Sequence, residues 1–193
     1  LSLRVVIVTG ANCGIGYHMA AGFASRDAIV IMACRNVEKG KAAREKLLKK
    51  YPGTMIHVME LDLADLESIG RFTDEILVKY KNLDILVNNA GVMIPPKSKT
   101  KDGFELQIGT NHLGHFALTG KLFPLLKSTP GSRVVTVSSI AHNIGEINLS
   151  DLNFETRKYK KWKAYGQSKL ANLMFAIEFD RRLKASGINV KSF

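Results

Sequence analysis

Tyr165 precedes Lys169 by four residues in the stretch AYGQSKLA. On a helix that spacing puts a phenol and an ammonium on one face. A free tyrosine, with a pKa of about 10, is a poor base near neutrality, and a cation beside it favours the phenolate. The pair reads as a proton-transfer site, with a polar helix face as the alternative. Ser138 and Ser139 close the run SRVVTVSS at what the pattern makes the end of a strand. A hydroxyl there can bond and hold a substrate oxygen, and strand alternation lets only one of the two face it. Asn111 sits inside a long helical pattern, where asparagine is a poor former.

A second set of residues suits a phosphate. TGANCGIG, residues 9–16, joins a β-branched run to a helical pattern. Gly10, Gly14 and Gly16 permit a tight turn and a close backbone approach, and the loop residues Asn12, Cys13 and Ile15 belong to the same cradle. The helix N-terminus presents free N–H groups and the positive end of its dipole. No Lys-Ser or Lys-Thr closes the loop, which excludes a kinase-type phosphate loop. The second strand ends in ACRN, with no carboxylate to bond a ribose 2′-hydroxyl. Arg35 can grip a 2′-phosphate, with Asn36 and Lys39 assisting, so NADP(H) is expected over NAD; a plain surface arginine is the alternative. Asp62, followed by Leu63, can accept from an adenine amino group while Leu63 packs near the ring, or can cap a helix. Asn89, Ala90 and Gly91 are small enough for a ribose and nicotinamide to lie against their backbone.

Other chemistries find less support. There is no Gly-x-Ser-x-Gly elbow for hydrolysis. His112 and His115 lie three apart without further ligands, so helix packing is expected of them. Cys13 and Cys34 are too few for a disulfide framework and fit a reducing, cytoplasmic compartment. They are expected near each other, where oxidation would block the nucleotide. The net charge of +11 includes one dense run, RKYKKWK, read as a solvated face. Nucleic acid is not expected, and contact with a membrane surface is not favoured. No apolar run reaches the ~18 residues of a membrane helix, and the opening LSLRVVIVTG reads as a buried strand rather than a signal peptide.

The elements that must position these groups alternate. Strands are expected over 4–10, 28–33, 54–63, 83–91 and 132–139, with a sixth begun at 188–193. Helices fall between them: one with Ile15, Met19 and Phe23 at helical spacing, one capped by Asn36, one capped by Asp65, one running through Leu126 with Pro124 at its end, and one over 164–185. Such alternation makes a parallel sheet with helices on both faces. Between Ser139 and Tyr165, residues such as Ile140, Ile144, Leu149, Phe154 and Trp162 either wall an apolar pocket or cover the sheet edge.

Taken together, Thr9-Gly10-x3-Gly14-x-Gly16, Asp62, Asn88-Asn89-Ala90-Gly91, Asn111, Ser139 and Tyr165-x3-Lys169 resemble the short-chain dehydrogenase/reductase family, over essentially the whole chain. ACRN, NNAGVM, TNHLGHF, VSSIAH and YGQSKLAN look most like its retinol-dehydrogenase-like branch. The resemblance implies a single Rossmann-like, doubly wound α/β domain over 1–193, its sixth strand cut short, that exchanges hydride between NADP(H) and a lipophilic alcohol or carbonyl. It assigns Tyr165 as acid/base, Ser139 rather than Ser138 as the substrate-binding hydroxyl, Lys169 as a partner of the nicotinamide ribose, and Asn111 as the anchor of a water leading to Lys169. It also implies homo-oligomers built on the long helices. The branch's N-terminal membrane segment has no counterpart in these residues. A silent NADP-binding sensor or scaffold of the same fold is the alternative.

Overall fold

A computed structural model describes residues 3–193. Six parallel strands form one sheet in the order β3-β2-β1-β4-β5-β6. They are β1 Val5–Thr9, β2 Ile29–Cys34, β3 Ile56–Glu60, β4 Ile85–Asn88, β5 Ser132–Thr136 and β6 Val190–Ser192. The helices are α1 Gly14–Ala24, α2 Val37–Lys50, α3 Leu66–Lys79, α4 Leu106–Ile108, α5 Gly114–Ser128 and α6 Lys161–Ala185. The chain winds outward from β1 to β3, then returns to place β4 on β1's other side. That reversal opens a crevice beyond the carboxyl ends of β1 and β4, where open α/β sheets bind ligands.

Apolar layers cover the two faces of the sheet. Ile7, Ile31, Leu86 and Val134 pack with Phe72, Leu118 and Leu122 on the side of α3 and α5. Val6, Val8, Val30 and Met32 pack with Ala20, Ala24, Ala43 and Leu47 on the side of α1 and α2. Burial on both faces explains why β1 and β2 read as unbroken apolar runs.

Three expectations change. First, the stripe that α1 buries fully is not the one Ile15, Met19 and Phe23 mark: Gly16, Ala20 and Ala24 are buried, Met19 and Phe23 are half-buried against the same core, and Ile15 is 62% exposed. The helix lies so close to the crevice that a Cβ on Gly16 would meet the Gly10 carbonyl oxygen at 2.6 Å, so smallness outranks apolar bulk on its inner stripe. Second, the long helix is interrupted. A π-helical turn, Gly109–Leu113, separates α4 from α5, and Pro124 lies within α5, which runs on to Ser128. Third, the strands stop early. Gly10, Leu61–Leu63, Asn89–Gly91 and Val137–Ser139 leave the ladder and become walls of the crevice.

Candidate active site

The glycine loop is built for a close-lying ligand. Gly10 and Gly14 have φ of +65° and +55°, a region that favours glycine. Cys13 caps α1 without a side-chain hydrogen bond, and no acidic residue lies in the first turn. The first N–H groups of α1 therefore keep no side-chain partner, as an anion-binding terminus requires. Thr9 fastens the opposite wall. Its hydroxyl oxygen accepts from Asn89 N and Ala90 N, each at 2.9 Å, and Asn89 Nδ2 donates to the Thr9 carbonyl at 2.8 Å. Gly91 is exposed at the end of this loop. The residues present fit a pyrophosphate between the loop and the α1 terminus.

At the end of β2, Arg35 is exposed and forms no ion pair among the described residues. Asn36 is engaged locally: its Oδ1 accepts from Lys39 N at 2.8 Å as the cap of α2. Asp62 Oδ1 accepts from Ala64 N at 2.9 Å, while the cap of α3 is Asp65. The Leu63 side chain lies in the core, pressed by α5 at Gly114, so it does not supply a surface for an adenine ring. Cys34 is buried, and burial raises its thiol to about 11; Cys13 is exposed, and both are free. Cys13 acts on Cys34 in the same direction, in keeping with two neighbouring thiols, and a thiol held that high is a poor nucleophile near neutrality.

The candidate reactive residues lie on α6 and on the turn that packs against it. Lys169 is only 5% exposed; its Nζ donates to the Val137 carbonyl at 3.1 Å and lies 5.8 Å from the Tyr165 ring centroid. Burial pulls its pKa below the ordinary lysine value. Tyr165 is half-buried, edge-on to Trp162, and its hydroxyl has no hydrogen bond among the described residues. Ser139 Oγ accepts from Ala141 N at 3.2 Å, which caps the 3-10 turn Ile140–Ile144 and leaves its proton to donate. Ser138 is directed elsewhere, its Oγ donating to the Lys169 carbonyl at 2.7 Å. His142 turns back onto its own segment, Nδ1 lying 2.8 Å from the Ser139 carbonyl.

Asn111 sits in the π-helical turn, a distortion frequent at functional sites. Its Oδ1 accepts from Val92 N at 2.8 Å, and its Nδ2 donates to Val92 O and to Ser168 Oγ. The side chain thus clasps the segment after Gly91. A Cβ on Gly91 would lie 3.0 Å from Asn111 Oδ1 and 3.8 Å from Lys169 Nζ, so these three residues converge. Ser139 is brought to α6 by a backbone-to-backbone contact: a Cβ on Gly166 would meet the Ala141 oxygen at 2.8 Å, and one on Gly145 the Gly166 oxygen at 2.4 Å.

Some positioning residues carry no local signal in the sequence. Ile94, held at φ +50°, donates its N–H to Gln107 Oε1; Gln107 Nε2 donates to the Tyr159 hydroxyl, which donates to buried Glu105. This chain ties the crevice segment to the start of α6. His115 is fully buried between Thr9 and the Asn111 carbonyl. Both are visible only as polar residues in apolar helical patterns. Of the residues between Ser139 and Tyr165, Phe154 is buried under Arg157, whereas Ile140 and Leu149 are each 85% exposed.

A switch-point crevice with a glycine cradle defines a Rossmann-like α/β protein. The family model for short chain dehydrogenases matches residues 4–193. Human retinol dehydrogenase 13 is 47% identical over 189 residues, covering 98% of this chain and 57% of that protein. Human retinol dehydrogenase 12 is 48% identical over 185 residues, covering 96% and 58%. The chain thus spans less than two thirds of the length of these curated relatives. A solved structure of an uncharacterised Mycobacterium paratuberculosis protein superposes with a TM-score of 0.88 at 50% identity, covering 98% of this chain and 66% of that one. A Shigella flexneri short-chain dehydrogenase solved with NADP superposes with a TM-score of 0.77 at 25% identity, covering 100% and 75%. This chain belongs to the short-chain dehydrogenase family.

The contact at Gly166 is testable. Gly166→Ala should cost about 1–3 kcal/mol by overpacking. It should also shift the emission of Trp162, the only tryptophan, as the Ile140–Ile144 turn moves. Gly70→Ala, where a Cβ meets nothing within 4 Å, should leave emission unchanged. Its stability should rise by up to about 1 kcal/mol through helix propensity. Identical melting and emission for Gly166→Ala and the wild type would refute the contact's role.

Proposed function

We propose that this chain is the nucleotide-binding and catalytic unit of an NADP(H)-dependent oxidoreductase interconverting a lipophilic alcohol and its aldehyde or ketone. The observation that carries the reading is the Tyr165 ring 5.8 Å from a buried ammonium, its hydroxyl unpartnered among the described residues, on a helix packed against the segment after Gly91. Bound NADPH supplies the hydride in the reducing direction. Tyr165 gives its proton to the substrate oxygen, and takes one back in oxidation. The Lys169 ammonium supports the negative charge that develops on the phenolic oxygen. Ser139 donates its free proton to the same substrate oxygen and holds it in line. Asn111 fixes Val92 and Ser168, and through Ser168 the backbone of Tyr165, whose carbonyl accepts from Ser168 Oγ at 2.8 Å. Its water-anchoring role is carried over from the family.

A lipophilic substrate is supported by exposed Ile140, Ile144 and Trp162 beside the reactive groups, and by the relatives named as retinol dehydrogenases. Arg35, unpaired at the end of β2, is the group placed for a 2′-phosphate, and several fold neighbours were solved with NADP or NADPH. We further propose a homo-oligomer through α5 and α6. There a groove of about 780 Å³ is lined by Phe116, Phe123, Met174, Phe175 and Phe179, and Phe116 and Met174 are more than half exposed. The free cysteines are in keeping with a reducing, cytoplasmic setting. No described helix is long and apolar enough to cross a membrane.

Tyr165→Phe should lower kcat for NADPH-dependent carbonyl reduction by at least about 100-fold. Its NADPH affinity should be kept; rates equal to wild type would refute the role and favour a silent binder. Arg35→Asp should lower the NADP/NAD affinity ratio by about 10–100-fold, the equivalent of one or two charge-assisted hydrogen bonds. An unchanged ratio would remove Arg35 from the site. Sedimentation at micromolar concentration should give a multiple of the chain mass, lost on Phe116→Asp; a monomeric wild type excludes the oligomer.

A further inference from the structure

We propose that His115 is a positioning residue of the active site, a neutral imidazole in its Nδ1–H tautomer that locks the cofactor-side loop to the π-helical turn bearing Asn111. The assignment follows from counting donors and acceptors. His115 Nδ1 lies 2.9 Å from the Asn111 carbonyl oxygen, which only accepts, so Nδ1 carries hydrogen. His115 Nε2 lies 2.9 Å from Thr9 Oγ1. Both lone pairs of that hydroxyl are taken by Asn89 N and Ala90 N. Nε2 cannot be a third donor to it, so Nε2 accepts and the Thr9 hydroxyl donates. The Val87 carbonyl, at 3.3 Å, is the weaker competitor for that proton.

The ring therefore joins three pieces of the crevice: the end of β1, the Asn89–Gly91 loop and the π-helical turn. It is 2% exposed, and among the described residues no carboxylate acts on it to support an imidazolium. The titratable groups that act on it are Lys169 from α6 and His112 from the turn. Burial, then those two charges, outweigh the Asn111 carbonyl and lower its pKa to about 4. Protonation would set a third donor against Thr9 and release the loop. The unfolded ring binds a proton below about 6.5 while the folded one does not until about 4. Stability is thus complete above 6.5 and declines as pH falls through that window.

The test has a readout that does not depend on the proposed reaction. In 15N-labelled protein the His115 ring should show the Nδ1–H pattern at pH 7 and keep it at pH 5. An Nε2–H or doubly protonated ring at either pH overturns the assignment. The decline in stability between pH 6.5 and 4 should be shallower in His115→Gln than in the wild type; an unchanged slope also overturns it. The binding arm rests on the NADP(H) reading. His115→Phe should weaken NADPH binding at least fivefold, and His115→Gln, whose amide oxygen can reach Thr9, should recover most of it. Should His115→Phe fail to fold, Thr9→Val against Thr9→Ser makes the same comparison from the other partner. Equal affinity in all folded variants refutes the positioning role, whereas a wild type that binds no NADPH refutes the cofactor reading and leaves the tautomer result standing.

Discussion

The site depends on a positive charge taken out of water. Lys169 is almost closed to solvent, and burial shifts its titration, with no carboxylate among the described residues acting on it. Desolvating an ion costs several kcal/mol unless partners replace its hydration. Here the replacement is small: the Val137 carbonyl and the neighbourhood of the Tyr165 ring. The pocket is thus short of negative charge where the phenol sits. A group that becomes anionic there would be stabilised, so in the proposed reaction the folding cost of the buried ammonium is also the source of its chemistry. The same demand explains the inner face of α6. Gln167, Ser168, Lys169 and Asn172 are all buried, so the helix packs polar groups inward where a structural helix would pack apolar ones.

Holding such groups in register requires backbones closer than side chains permit. A Cβ at Gly16, Gly114, Gly145 or Gly166 would fall within 3.0 Å of a backbone atom from another segment. Each contact fixes one relation: α1 to the glycine loop, α5 to the segment after β3, and the turn after Ser139 to α6. Short polar networks secure the remaining degrees of freedom. Asp151, buried with its carboxylate oxygens accepting from Glu155, Thr156 and Arg157, folds the segment that leads into α6. Burial raises its pKa, but these hydrogen bonds prevail and hold it at about 2, so it keeps its charge across the ordinary range.

The fold was legible because its signals are periodic and local. Apolar runs marked β1 and β2, Asn36 and Asp65 marked helix starts, and the glycines of 9–16 marked a turn that only glycine fits. The candidate set could be picked out because Tyr165 and Lys169 share a helix and Ser139 closes a recognisable run just past β5. What failed did so for tertiary reasons. The inner stripe of α1 stayed hidden because its residues are small, and Gly16 sits where a Cβ would meet the Gly10 carbonyl oxygen. The break in the long helix was missed because a π-helical turn leaves the apolar pattern almost unchanged. Leu63 was placed at the nucleotide by its neighbour Asp62, but consecutive residues leaving a strand face opposite ways.

His115 shows why some residues stay hidden. In sequence it is one of two histidines three apart, and packing is a fair account of it. Its partners are 106 residues away at Thr9 and four away at Asn111, and neither predicts the other. Only the folded geometry shows a threonine hydroxyl that holds two N–H groups with the His115 ring 2.9 Å away. The nucleotide side of the crevice comes from the first half of the chain, and Ser139, Tyr165 and Lys169 from the second. A coupling residue between them can be recognised only where the two halves meet, by asking where each hydrogen goes.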